Sequence, residues 1–126
     1  MTKPQFNLAL ARDGETIGYR GAALLDTGFD GYLVINREIV NFLKPTFTKK
    51  IALNIGNNQK VMAVVCDIYV IFETLTQDYS FGVEAIYMPG ELQPIIGSRL
   101  IQEICVNENT NLIFDYLGKK LSFESR

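Results

Sequence analysis

The residues best placed to do chemistry are Asp26, Thr27 and Gly28. An apolar run, Ala22-Ala23-Leu24-Leu25, delivers the carboxylate into a glycine-containing turn, and a second apolar run, Tyr32-Leu33-Val34-Ile35, follows closely. A carboxylate between two buried flanks carries a desolvation cost, so it needs hydrogen-bond partners, a chemical role or both. In isolation the tripeptide also fits an Asx-type β-turn. The chain contains no histidine, which excludes Ser-His and Cys-His nucleophile pairs and most zinc sites. Acid–base chemistry is left to carboxylates, lysine or tyrosine. Two cysteines, Cys66 and Cys105, stand among apolar neighbours and read as free buried thiols rather than a disulfide or metal framework. Neither a metal nor a cofactor is expected.

The elements that must position Asp26 read as short strands. Phe6, Leu8 and Leu10 alternate with Asn7, Ala9 and Ala11, the period of a half-buried strand, and Asp13-Gly14 turns the chain into a return strand from Glu15 to Leu25. Asn36 is placed to cap a short helix, Arg37 to Leu43, that Pro45 stops. Alternation resumes from Lys50 to Ile55, breaks at Gly56-Asn57-Asn58-Gln59 and continues from Lys60 to Glu73, which predicts a hairpin with a Gly/Asn tip. The neighbouring Phe47 to Lys50 reads as a solvated cationic face. A further strand covers Tyr79 to Met88, and Met88 to Pro94 is a loop. Ile95-Ile96-Gly97 then leads into a helix capped by Ser98, with Leu100, Ile101, Ile104 and Cys105 on its buried side. Strands at Leu112 to Phe114 and Lys120 to Glu124 close the chain. Many short strands with two short helices predict an all-β barrel or a pair of packed sheets. The apolar-apolar-Asp-Thr-Gly unit and the apolar-apolar-Gly97 unit, each followed by a short helix, suggest two halves whose turns meet.

At 126 residues, 48% hydrophobic and 21% charged, the chain fits one globular domain, residues 1–126. Its net charge of −2 with interspersed signs offers no footprint for nucleic acid or anionic lipid. The first residues lack the apolar block of a signal peptide and no apolar run reaches membrane-spanning length, so a cytoplasmic protein is expected.

Leu24-Leu25-Asp26-Thr27-Gly28, the mid-chain hairpin and Pro94-Ile95-Ile96-Gly97-Ser98-Arg99-Leu100-Ile101 together resemble the retropepsin-like, single-domain aspartic proteases, over about residues 6 to 125. The resemblance implies a closed acid-protease-type barrel, half of a pepsin-like architecture, completed as a homodimer. It implies that Asp26 is the catalytic aspartate, that Thr27 braces the site across the dimer, and that Gly28 lets backbone approach the carboxylate. Gly97 would give close packing beneath the site, Ile96 and Gly97 would join Phe29 among the substrate-binding residues, and Ile55, Gly56, Asn57 and Asn58 would form a flap over bound peptide. Two carboxylates sharing one proton are needed to activate water; with one Asp-Thr-Gly per chain, the second Asp26 must come from another copy across a two-fold axis. The terminal strands, Phe6 to Leu10 and Leu121 to Phe123, are the candidates for knitting that dimer. The reading is an aspartic endopeptidase acting on peptide or unfolded polypeptide. The alternative is a catalytically silent dimerisation or peptide-binding module. Phe29 stands where the family has Ala or Ser, so its ring would crowd the carboxylates, fill a substrate subsite or pack across the dimer. Asp30 adds a second carboxylate that calls for a cation; Arg99 or Arg20 could supply it, and Arg99 is the expected partner because the family often has an arginine just after its downstream glycine.

Overall fold

The computed structural model describes residues 5–12, 17–54, 57–73, 78–107, 110–115 and 120–125. Its elements in chain order are β1 (Gln5–Ala11), β2 (Ile17–Asp26), β3 (Leu33–Ile35), α1 (Arg37–Leu43), β4 (Phe47–Asn54), β5 (Lys60–Glu73), β6 (Asp78–Tyr87), β7 (Ile95–Gly97), α2 (Ser98–Asn107), β8 (Thr110–Asp115) and β9 (Lys120–Ser125). The sheet runs β4-β5-β6-β3-β7-β2-β1-β9-β8, and β1 also pairs with β5. That extra pairing, Leu8 to Ala11 against Phe72 to Tyr69, closes β5-β6-β3-β7-β2-β1 into a six-stranded barrel. The length of β5 makes this possible: its 14 residues serve β4 at one end, β6 along most of its length and β1 at the other.

The barrel interior is filled by the apolar positions of these strands. Leu10, Leu33, Ile35, Ile68, Val70 and Ile96 are among the fully buried residues, and Phe6 meets Phe72 edge to face at 5.5 Å between ring centroids. Leu100 and Ile104 from α2 and Ile39 from α1 join the same core. The helical spacing of these residues puts each helix's apolar stripe on the barrel. Ile101 and Cys105, expected on the buried side of α2, are partly buried at its edge.

Several sequence expectations are refined. Strand β1 is buried on both faces from Leu8 onward, Ala9 and Ala11 included, where half-burial was expected; a strand flanked by β2 on one side and β5 on the other is a barrel stave, and its small residues let neighbours close over it. Residues 95–97, read as the lead-in to a helix, form β7, because Leu24 to Asp26 and Leu33 to Val34 offer it partners on both sides. Strand β4 begins at Phe47, so Phe47 to Lys50 belongs to a strand, though it is exposed as expected. Helix α1 matches its predicted span. The Asn36 side chain accepts from the Ile39 N–H, and Lys44 ends the helix at φ 49°, its N–H donating to the Val40 carbonyl. Both cysteines are free, and burial pushes the Cys66 thiol up to about 11, with Asp67 adding to the effect. Among the described residues no helix is long and apolar enough to cross a membrane.

Candidate functional site

Asp26 is the last residue of β2, and its register partner on parallel β7 is Gly97. The two turns that the sequence pattern suggested would meet do so at this pair. The backbone here is held by three donors where β7 runs into α2. The Gly97 N–H donates to the Tyr32 carbonyl (3.0 Å), Ser98 N–H to the Phe29 carbonyl (2.9 Å) and Arg99 N–H to the Gly31 carbonyl (3.2 Å). Ser98, expected as a helix cap, instead turns its hydroxyl to the Phe29 carbonyl at 3.3 Å. A loop that reverses between two buried strands leaves carbonyls without ladder partners, and these donors satisfy them.

Within the turn, the Phe29 N–H donates to the Asp26 carbonyl (3.1 Å) and the Gly28 N–H to Asp26 Oδ1 (2.9 Å). This is the Asx-type bond that the tripeptide would make in isolation, and it also fixes one carboxylate oxygen while Asp26 stays only half-buried beside exposed Thr27 and Gly28. A Cβ on Gly28 would stand 3.2 Å from Oδ1, so glycine allows the close approach.

Packing around Gly97 is tighter. A Cβ there would lie 2.1 Å from the Gly31 carbonyl oxygen and 2.7 Å from Phe29 Cδ2. A Cβ on Gly31 would lie 2.5 Å from Phe29 Cζ. The Phe29 ring therefore sits in space that two glycines leave empty. Gly31 was not singled out from the sequence; a large ring two residues ahead of a glycine, in a turn facing a second glycine, is the signal that was there.

The ion pair expected between Asp30 and Arg99 is not formed among the described residues. Arg99 extends from the first turn of α2 over the Tyr32 ring, 5.7 Å from its centroid, and the Tyr32 hydroxyl donates to Glu103 Oε1 at 2.6 Å. Arg99 and Glu103 are four residues apart on one helix and so share a face, and Tyr32 presents its ring and its hydroxyl to that face. The bond to Glu103 holds the Tyr32 hydroxyl above its ordinary pKa, with burial adding to it and Arg99 opposing it.

Two further segments frame the site. The part of β4–β5 from Ile51 to Asn54 and Lys60 to Ala63 pairs only with itself, since β6 joins β5 at Val64. It is a two-stranded arm standing off the barrel, and Met62 on it is 67% exposed. Asn57 and Asn58 at its tip have φ of 51° and 59°, the left-handed region that asparagine tolerates better than most residues. Ile55 and Gly56 lie outside the described residues. Between the arm and the turn at Tyr87 to Glu91 is a cavity of about 200 Å3 lined by Leu53, Val61, Met62 and Pro89. The 88–94 loop is tied down by Asn36 Nδ2 donating to the Leu92 carbonyl (3.1 Å) and by Leu24 N–H donating to the Pro94 carbonyl (2.9 Å), while Leu92 itself is 91% exposed.

Of the two strands expected to knit a dimer, Phe6 to Leu10 is committed to the barrel through β2 and β5. Strand β9 pairs with β8 along its length and with β1 only at Lys120. Among the described residues no group of three or more Cys, Asp or Glu could hold a metal ion.

No family model and no curated protein matches this sequence. Among solved structures, the chain is similar to the EIAV protease complexed with the inhibitor HBY-793, at 18% identity and a TM-score of 0.50, over 82% of this chain and 88% of that one. At that identity the likeness is one of fold. The chain is a mostly β protein with two short helices and a closed six-stranded barrel, matching the retropepsin-like fold.

Proposed function

We propose that this chain is an aspartic endopeptidase that acts as a homodimer. Each copy supplies Asp26, and the pair activates a water molecule for attack on a peptide carbonyl, one carboxylate as base and the other as acid. The observation that carries the reading is the half-buried Asp26 carboxylate at the end of β2, with one oxygen fixed by the Gly28 N–H. Its register partner is a glycine locked against the Gly31 backbone. A rigid mount that leaves the carboxylate accessible is what general acid–base work requires. With one such aspartate per chain, the second comes from a second copy. An extended peptide would bind beneath the β4–β5 arm through strand-like main-chain hydrogen bonds, with Leu92 and Met62 as its exposed apolar contacts. The open edge of β9 is the surface we assign to the dimer.

The test is digestion of an unfolded polypeptide from mildly acidic to neutral pH by the native protein and by Asp26→Asn, alongside sedimentation analysis. The proposal expects a dimer that cleaves and a variant that does not. Equal cleavage by both proteins, or none by either at any pH, would sink it. A silent peptide-binding dimer is the reading that a captured but uncut peptide would support.

A further inference from the structure

The 88–94 loop joins β6 to β7 and spans the distance from the arm to the Asp26 turn. At its start, Met88, Pro89 and Glu91 line the cavity they share with Val61 and Met62 of the arm. At its end the Pro94 carbonyl accepts from the N–H of Leu24, two residues before Asp26, and β7 follows with Gly97 opposite Asp26. A polypeptide lying beneath the arm and across Asp26 runs along this loop, past the almost fully exposed Leu92.

With Pro89, Gly90 and Pro94, the loop has few N–H donors and much backbone freedom. It is held from the inside instead. The Met88 N–H donates to the Ile35 carbonyl (2.9 Å), and the Leu92 carbonyl accepts from Asn36 Nδ2 (3.1 Å). Asn36 is only 4% exposed, and both ends of its amide are used, since Oδ1 takes the Ile39 N–H at 3.1 Å. Serine or aspartate would cap α1 as well. Of the strong capping residues, asparagine alone adds side-chain N–H donors to the capping oxygen, and the structure spends one on the residue whose side chain faces solvent.

We propose that Asn36 is a positioning residue for polypeptide binding. Its bond to the Leu92 carbonyl sets the 88–94 loop so that the Leu92 side chain forms a wall for an apolar side chain of the bound segment, while Asn36 stays buried behind the loop and touches nothing bound. This rests on the reading that a polypeptide binds beneath the arm, and it holds whether or not Asp26 cuts that polypeptide. A loop released from Asn36 must be ordered on binding, which weakens affinity and leaves the carboxylate chemistry alone.

The probe is denatured, fluorescein-labelled casein. Its digestion yields kcat and KM, and its fluorescence anisotropy yields Kd for the same variants made in an Asp26→Asn background. Asn36→Ser and Asn36→Asp both keep a capping oxygen and lose the donor, and circular dichroism shows that each is folded. Each should raise KM and Kd by about fivefold, the worth of one hydrogen bond, with kcat within about twofold of the native value. Leu92→Ala should weaken binding by a similar factor. In the double variant of Asn36→Ser and Leu92→Ala the losses should not multiply, because nothing is left to position; a merely structural role for Asn36 would leave the two changes independent. Capture that follows this pattern without cleavage by any of the proteins would refute the endopeptidase and sustain the positioning role. The proposal is overturned if a folded Asn36 variant binds casein like the native protein, if its loss falls on kcat alone, if the two losses multiply, or if casein is not captured at all.

Discussion

Replacing Gly97 with alanine should be the most damaging single-methyl change near the site. The new Cβ would stand 2.1 Å from the Gly31 carbonyl oxygen and 2.7 Å from its carbon, and both are backbone atoms that cannot rotate away. Reaching an ordinary contact of 3.4 Å requires a displacement of 1.3 Å (3.4 minus 2.1). The loop cannot move that far while Gly97, Ser98 and Arg99 keep their N–H bonds of 2.9 to 3.2 Å to residues 29–32. Overpacking costs about 1–3 kcal/mol, and the loss of two of these bonds adds about 0.5–1.5 kcal/mol each. The expected destabilisation is about 2–6 kcal/mol, a large share of the total stability of a typical domain. Urea unfolding followed by circular dichroism measures it. Gly90→Ala is the control, because a Cβ there meets nothing within 4 Å. Phe29→Ala should not rescue Gly97→Ala, since the shortest clash is with backbone. A Gly97→Ala protein within about 0.5 kcal/mol of the native one, the scatter of neutral surface changes, would refute the argument.

Three further outcomes follow from particular contacts. Asn36 both caps α1 and holds the Leu92 carbonyl, so Asn36→Ala should cost about 2 kcal/mol in urea unfolding, roughly one for the cap and one for the buried bond. Asn36→Asp keeps the capping oxygen and loses the donor, so it should instead loosen the 88–94 loop, seen as faster amide exchange at Glu91, whose N–H bonds the Met88 carbonyl. The Cys66 thiol, raised to about 11 by burial, holds its proton more tightly folded than unfolded. Its contribution is therefore fully present below the unfolded thiol pKa and is lost as pH rises through about 11. Stability measured across that alkaline window should fall on this account, and Cys66→Ala should remove that part of the slope. The Tyr32 hydroxyl should ionise above its ordinary pKa in an ultraviolet phenolate titration, and Glu103→Gln should bring it down, because the bond to Glu103 is the leading cause of the shift; no change in that variant would show the cause to be misassigned.

What the sequence determined by itself was local. Asn36, Arg37 to Leu43 and Pro45 define α1 because capping and helix termination act over a few residues, and the apolar alternation of Lys60 to Glu73 defines β5 because side chains alternate faces along any strand. Asp26 stood out because a carboxylate between two apolar runs is costly without a purpose. The tertiary structure decided what depends on distant partners. Only closure of β1 onto β5 buries Ala9 and Ala11, and only the presence of β2 and β3 on either side turns Ile95 to Gly97 into a strand. Arg99 lies over Tyr32 rather than against Asp30 because the ring and Glu103 lie along its helix face, a proximity no spacing encodes. The sequence pattern marked Gly97 as a partner of the Asp26 turn, but only the pairing of β7 with β2 and β3 packs it against Gly31 and makes the two glycines the seat of the Phe29 ring.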